Sequence, residues 1–182
     1  MLFKIDITID DREYLDFNLF WIFKAPNGAK RIRRLRTTLA VLLILAILAL
    51  LTQTGISSAA LLGLLPVLAV GLLMQLLLRP LLTWSLKSSI KAMKKNGKPG
   101  YSPNATLEFY EDRFVERTPL QTTELSYEVI ERISVLEGKA IYIHLSSMSA
   151  HILPRPCFSS HAEYDGLLVF LKTKLPKIDY YF

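Results

Sequence analysis

Residues 37–78 form a run of 42 positions without a single Asp, Glu, Lys or Arg. A helix needs about 20 apolar residues to cross roughly 30 Å of hydrocarbon. The run is therefore long enough for two crossings. Thr52-Gln53-Thr54-Gly55 and Ser57-Ser58 interrupt it near the middle. The pattern predicts two spans, residues 35–54 and 56–78, joined by a tight turn at Gly55. A buried hairpin in a soluble core is the competing reading. It is disfavoured because a domain of this size lacks the water-excluding volume for two all-apolar helices of such length.

The flanks set the expected orientation. Lys30, Arg31, Arg33, Arg34 and Arg36 precede the first span, and Arg79, Lys87, Lys91, Lys94, Lys95 and Lys98 follow the second. The loop between the spans is uncharged. Lys and Arg beside a span stay on the cytoplasmic side, so both termini are expected there. Gly63, Pro66 and Gly71 interrupt the leucines of the second span. They suit either a kinked, pore-lining helix or close helix–helix packing. Packing is favoured because the span holds no ionisable group to coordinate an ion or relay a proton. Gln53 and Gln75 are the only amides of the whole run, and both sit near predicted ends.

Net charge is +6, but it is localised. Residues 1–29 hold three basic and five acidic side chains, and residues 99–182 hold eight and eleven. The excess cations flank the apolar run, where each contributes about 1 kcal/mol of attraction to anionic headgroups. A nucleic-acid surface is not indicated. One cysteine, Cys157, excludes a disulfide framework and fits a reducing compartment. The first apolar run starts far from Met1 and lacks an A-x-A pattern, so it is expected to act as an uncleaved anchor.

Four segments result: residues 1–36, 37–78, 79–100 and 101–182. In the first, residues 3–9 alternate as a strand with one wet face. Asp10 or Asp11 then caps a helix. Its apolar face holds Tyr14, Phe17 and Trp21 with Leu15, Asn18 and Ile22, and Ala25-Pro26-Asn27-Gly28 is expected to stop it. Docking in the membrane interface and packing on the soluble domain both remain open for this helix. In residues 79–100, Leu82, Leu86, Ile90 and Met93 alternate with lysines as a basic amphipathic helix continuing the span past Pro80. It suits an ordinary positive-inside flank as well. Asn96-Gly97-Lys98-Pro99-Gly100 reads as a linker.

From residue 106 short strands succeed one another: 106–110, 114–118, 123–127, 133–136, 141–145 and, last, 148–153. Glu111-Asp112-Arg113 and Glu137-Gly138-Lys139 are turns. Ile141, Ile143 and Leu145 share one face; Tyr142 and His144 share the other. Ser160-His161-Ala162-Glu163 is a capping box that opens a helix with Tyr164, Leu167, Leu168 and Leu171 on one side, stopped by Pro176. Five or six antiparallel strands and one helix make an α+β module in which the helix plugs or covers a curved sheet.

Leu107-Glu108-Phe109-Tyr110-Glu111-Asp112 with Phe114-Val115-Glu116, then Ser126-Tyr127-x-x-Ile130-x-x-Ile133, Ile141-Tyr142-Ile143, Ile152-Leu153-Pro154-x-x-x-Phe158, Glu163 and Phe170-Leu171 carry a resemblance. In that order they resemble the YcxB-like family of bacterial membrane proteins, as does Tyr14-x-x-Phe17-Asn18. The resemblance implies two N-terminal spans and a C-terminal domain similar to bacterial pleckstrin-homology-like (PH-like) folds. The family usually has Gly in the first hairpin turn, where this chain has Arg113. It brings no catalytic residue and no assigned biochemical activity.

His144, His151, Cys157 and His161 are the soft metal ligands of the soluble part, spaced H-x6-H-x5-C-x3-H. The spacing matches no compact zinc knuckle, so surface histidines and a buried thiol are expected instead. A Cys–His nucleophile pair lacks an orienting third group. No phosphate loop and no HExxH occur. The expectation is a non-enzymatic, multi-pass protein of the cell membrane, presenting a PH-like binding or scaffolding module at the cytoplasmic face. Lys87, Lys91, Lys94, Lys95, Arg31, Arg33 and Arg34 would contact lipid headgroups, and a protein partner would be held by the soluble domain. The alternative is a transporter or channel subunit built from oligomerised hairpins.

Overall fold

Apolar continuity and period-two alternation sort into separate units in the computed structural model, which describes residues 1–55, 58–97, 99–146, 149–175 and 178–181. Contacts group Met1–Phe17 with Ala92–Phe182 as one unit and hold Asn18–Lys91 as another. Composition alone parts the chain at residue 100 instead. Ile56 and Ser57 at the expected turn, Lys98 in the linker, Met148 at a strand start and Pro176 at a helix stop lie outside the described residues.

Strand β1 (Phe3–Thr8) leads into helix α1 (Asp11–Phe23). Asp10 caps α1: its carboxylate accepts the amides of Arg12 and Glu13 at 2.6 and 3.0 Å, and Glu13 accepts the Asp10 amide at 3.0 Å. Ala25-Pro26-Asn27-Gly28 does more than stop α1. Pro26 is the first residue of α2 (Pro26–Thr54), where its fixed φ and missing N–H suit a helix start. Gly28 lets the two helices meet. A Cβ there would collide with the carbonyl oxygens of Trp21 and Ile22.

Helix α2 carries the basic flank and the first apolar run without a break, and Gly55 ends it at φ 67°. Helix α3 (Ser58–Lys95) continues through Pro66 and Pro80 to the last lysines. Gly71 faces Leu43 so closely that a Cβ would come within 2.5 Å of the leucine methyl. The Gln75 amide donates to the Arg36 carbonyl at 3.1 Å. Both helices are long and apolar enough to cross a membrane, and no residue of either apolar window is buried. Leu62 and Leu76, for example, are 67% and 66% exposed.

The other unit is α+β, with two four-stranded sheets. The first has the order β1-β2-β3-β4, formed with β2 (Asn104–Phe109), β3 (Arg113–Arg117) and β4 (Thr122–Ser126), all antiparallel. β1 pairs with β2 from Phe3 opposite Phe109 to Thr8 opposite Asn104. Ile5 and Ile7 point inward while Lys4, Asp6 and Thr8 face out. The β2–β3 turn closes through the Tyr110 amide on the Arg113 carbonyl at 2.9 Å. Among the described residues only glycines have positive φ, so Arg113 adopts no left-handed conformation.

The second sheet has the order β7-β6-β5-β8, with β5 (Arg132–Leu136), β6 (Ala140–His144), β7 (Ala150–Pro154) and β8 (Ile178–Tyr181). Three expectations are corrected here. The sheet is mixed, because β8 pairs parallel with β5, and β7 is not the last strand. Neither His144 nor His151 is a surface histidine; the His151 side chain is 9% exposed. β6 is buried on both faces: Ile141 and Ile143 join the core, while Tyr142 and His144 lie under Phe17 of α1, at 5.1 and 6.3 Å between ring centroids. Helix α4 (His161–Lys174) completes the core with Leu167 and Leu171, both fully buried. Phe170 packs on Phe3 and Tyr127. Ser160 accepts the Glu163 amide at 3.1 Å, and the glutamate reaches back to the Ser159 amide at 2.7 Å.

Candidate functional site

Helix α3 carries the lysines expected to meet headgroups. Lys87, Lys91, Lys94 and Lys95 recur three or four residues apart, which puts them on one side, and Leu86, Ile90 and Met93 occupy other positions. Lys87, Lys91 and Lys95 are exposed, as are Arg31, Arg33 and Arg34 on α2. Among the described residues none of these six has an ion pair. Lys94 does: its ammonium lies 3.0 Å from the Asp11 carboxylate. The Tyr101 hydroxyl donates to the other Asp11 oxygen at 2.6 Å. That bond, with Lys94, lowers the Asp11 pKa, while burial and the carboxylate push Tyr101 up to about 12. Tyr14 stacks at 4.9 Å on Tyr101. The start of α1, the end of α3 and the segment entering β2 are thus tied together at one point.

The four soft ligands are dispersed. The His144 Nε2 and the Ser134 Oγ share a hydrogen bond at 3.0 Å, both buried. Burial, then the charge of Arg132, lowers the His144 pKa to about 4. His151 bridges the sheets: its Nδ1 lies 3.3 Å from Glu116 of β3, a contact that lowers the glutamate's pKa. Cys157 is half-buried and its thiol pKa is raised by burial. His161 is exposed at the start of α4. Among the described residues no three His, Cys, Asp or Glu side chains gather as a metal site.

Several concavities occur among the described residues, including one of about 370 Å³ beside β1, lined by Asp6, Asn104, Thr106 and Arg117. Between α2 and α3 a groove of about 570 Å³ is lined by Leu39, Leu42, Leu43, Pro66, Val70 and Met74 among others, all apolar. It offers a solute no polar handle. Another, about 250 Å³, lies between α1 and the second sheet. Arg12, Glu13 and Asp16 form its helical wall. Lys139, Pro154 and Pro156 face them, and Ala140, Tyr142 and Ile152 complete the lining. Residue order alone does not reveal this site, because α1 and β6 are brought together only by tertiary packing of Phe17 on Tyr142. Comparison of the chain with protein families, characterised proteins and solved structures finds no match.

Proposed function

We propose that α2 and α3 form a transmembrane hairpin, and that the chain is a multi-pass cell-membrane protein presenting its sheet unit at the cytoplasmic face as a binding or scaffolding module. The pairing of β1 with β2 carries this reading. Residues 3–8 and 104–109 share one ladder and therefore one compartment, and both apolar helices lie between them in the chain. A chain that leaves a compartment and returns crosses the bilayer an even number of times, as two helices provide. The unburied leucines give the reason for crossing: contiguous apolar surface on that scale is not left in water, and lipid solvates it without cost to the helical backbone. Arg31, Arg33, Arg34, Lys87, Lys91 and Lys95 favour the cytoplasm for the shared compartment. Two successive sheets packed with one helix, α4, support a PH-like, YcxB-like module, although β8 follows that helix; its binding role rests on analogy of fold.

Single-cysteine labelling in a Cys157→Ser background tests the topology. Gln53→Cys should react with an impermeant maleimide from outside intact cells. Leu2→Cys and Glu128→Cys should react only after permeabilisation. Labelling of Leu2→Cys and Glu128→Cys from opposite sides would end the proposal.

A further inference from the structure

The cavity under α1 brings both signs of charge to one space. Two cations, Arg12 and Lys139, and two carboxylates, Glu13 and Asp16, line one space of about 250 Å³. Among the described residues no ion pair joins them to one another, although both signs face the same void. Glu13 is held in place, since one of its oxygens accepts the Asp10 amide at 3.0 Å. The ring of Tyr142, 2% exposed, and Ile152, 4% exposed, form its floor, while Arg12 and Lys139 stand exposed at its rim. The volume lies below the range of about 300–1,000 Å³ usual for drug-sized ligands, so the occupant is small.

Formal charge around the cavity sums to zero. A simple anion would satisfy Arg12 and Lys139 and leave the carboxylates facing it; a simple cation would do the reverse. A ligand bearing both signs meets both pairs. We propose that this cavity binds a compact zwitterion with a primary ammonium at one end and an oxyanion at the other. Arg12 and Lys139 take the oxyanion, Arg12 offering the fork geometry that suits carboxylate or phosphate. Asp16 and Glu13 accept hydrogen bonds from the ammonium. A free phosphoethanolamine-like or amino-acid-like molecule and an aminophospholipid headgroup share this chemistry. The inference does not rest on the hairpin crossing a bilayer.

The purified full chain in detergent, titrated calorimetrically with phosphoethanolamine, tests it. Saturable binding is expected. Asp16→Asn and Lys139→Met should each weaken it about 10- to 100-fold, the range for losing one charge-assisted hydrogen bond. Asp16→Glu should bind within a few-fold of the parent, and Lys172→Met, away from the cavity, should bind as the parent does. Phosphocholine, which has no ammonium hydrogen, should bind about tenfold more weakly or worse. Competition by nanodiscs containing phosphatidylethanolamine, but not by those of phosphatidylcholine alone, would identify the headgroup as the source. Competition by neither, with free ligand still binding, would identify a soluble one. The proposal is overturned if phosphoethanolamine does not saturate, if inorganic phosphate binds equally well, or if Asp16→Asn is silent while melting temperature is unchanged.

Discussion

Acidification should loosen the sheet unit through His144. The side chain is 1% exposed, hydrogen-bonded to Ser134 and roofed by Phe17, and its pKa is lowered from 6.5 to about 4. In the unfolded chain the imidazole takes a proton near the ordinary value; in the fold it resists until near pH 4. Between those values the unfolded state binds more protons, so stability falls as pH falls. The contribution is complete above about pH 7. About 2 kcal/mol is gone at pH 5, approaching about 3 kcal/mol well below pH 4. Glu116, whose pKa is lowered, adds a loss of the same sign at lower pH, whereas Glu13, whose pKa is raised, works against it. Three histidines make the measurement tractable. Imidazole NMR, assigned by single substitutions, should show one ring titrating near pH 4. Hydrogen exchange of the β5 and β6 amides should accelerate between pH 7 and 5, after correction for intrinsic rates, and lose most of that dependence in His144→Gln. If His144 titrates near 6.5, or His144→Gln keeps the parent's pH dependence, burial is not holding this group neutral.

Further outcomes follow from single contacts. Gly28→Ala should cost about 3 kcal/mol or more, because the clash is with backbone carbonyls, while Gly63→Ala, whose nearest neighbour is a leucine methyl at 4.0 Å, should be nearly neutral; thermal unfolding compares them. Gly71→Ala should destabilise α2–α3 packing, and Leu43→Ala should partly rescue it in a double-mutant cycle. Ser160→Ala should cost about 1 kcal/mol by removing the α4 cap, and Ser160→Asp should restore it, measured by denaturant titration. Gly138→Ala, at φ 68°, should cost about 1–2 kcal/mol by the same method.

What the residues announce by themselves is local. The charge-free run, the cap at Asp10, the alternation of β1 and the box around Ser160 each have a signature within a few positions, and each element forms where that signature lies. What they withhold is partnership. Nothing in Phe3-Lys4-Ile5-Asp6-Ile7 names β2 as its neighbour. Nothing in Ile178-Asp179-Tyr180-Tyr181 signals a parallel partner in β5, because Ile178 meets Ile133 only after β6, β7 and α4 have intervened in the chain. His144 reads as a surface histidine because its strand alternates, and only the roof supplied by α1 reverses that. Gly28 reads as a helix stop because glycine usually is one; its use as a point of close approach depends on where Trp21 lies. The cavity beneath α1 is hidden for the same reason, since one of its walls ends at Asp16 and the other begins at Lys139.

The pairing of β1 with β2 also sets a timetable for synthesis. Residues 9–103 separate the two strands, and the ribosome adds about 5–20 residues each second. For about 5–20 s, therefore, β1 is out of the ribosome with no ladder to join. During that wait its isoleucines have no core to join, and this sheet can reach its full width only once both hydrophobic helices have been made.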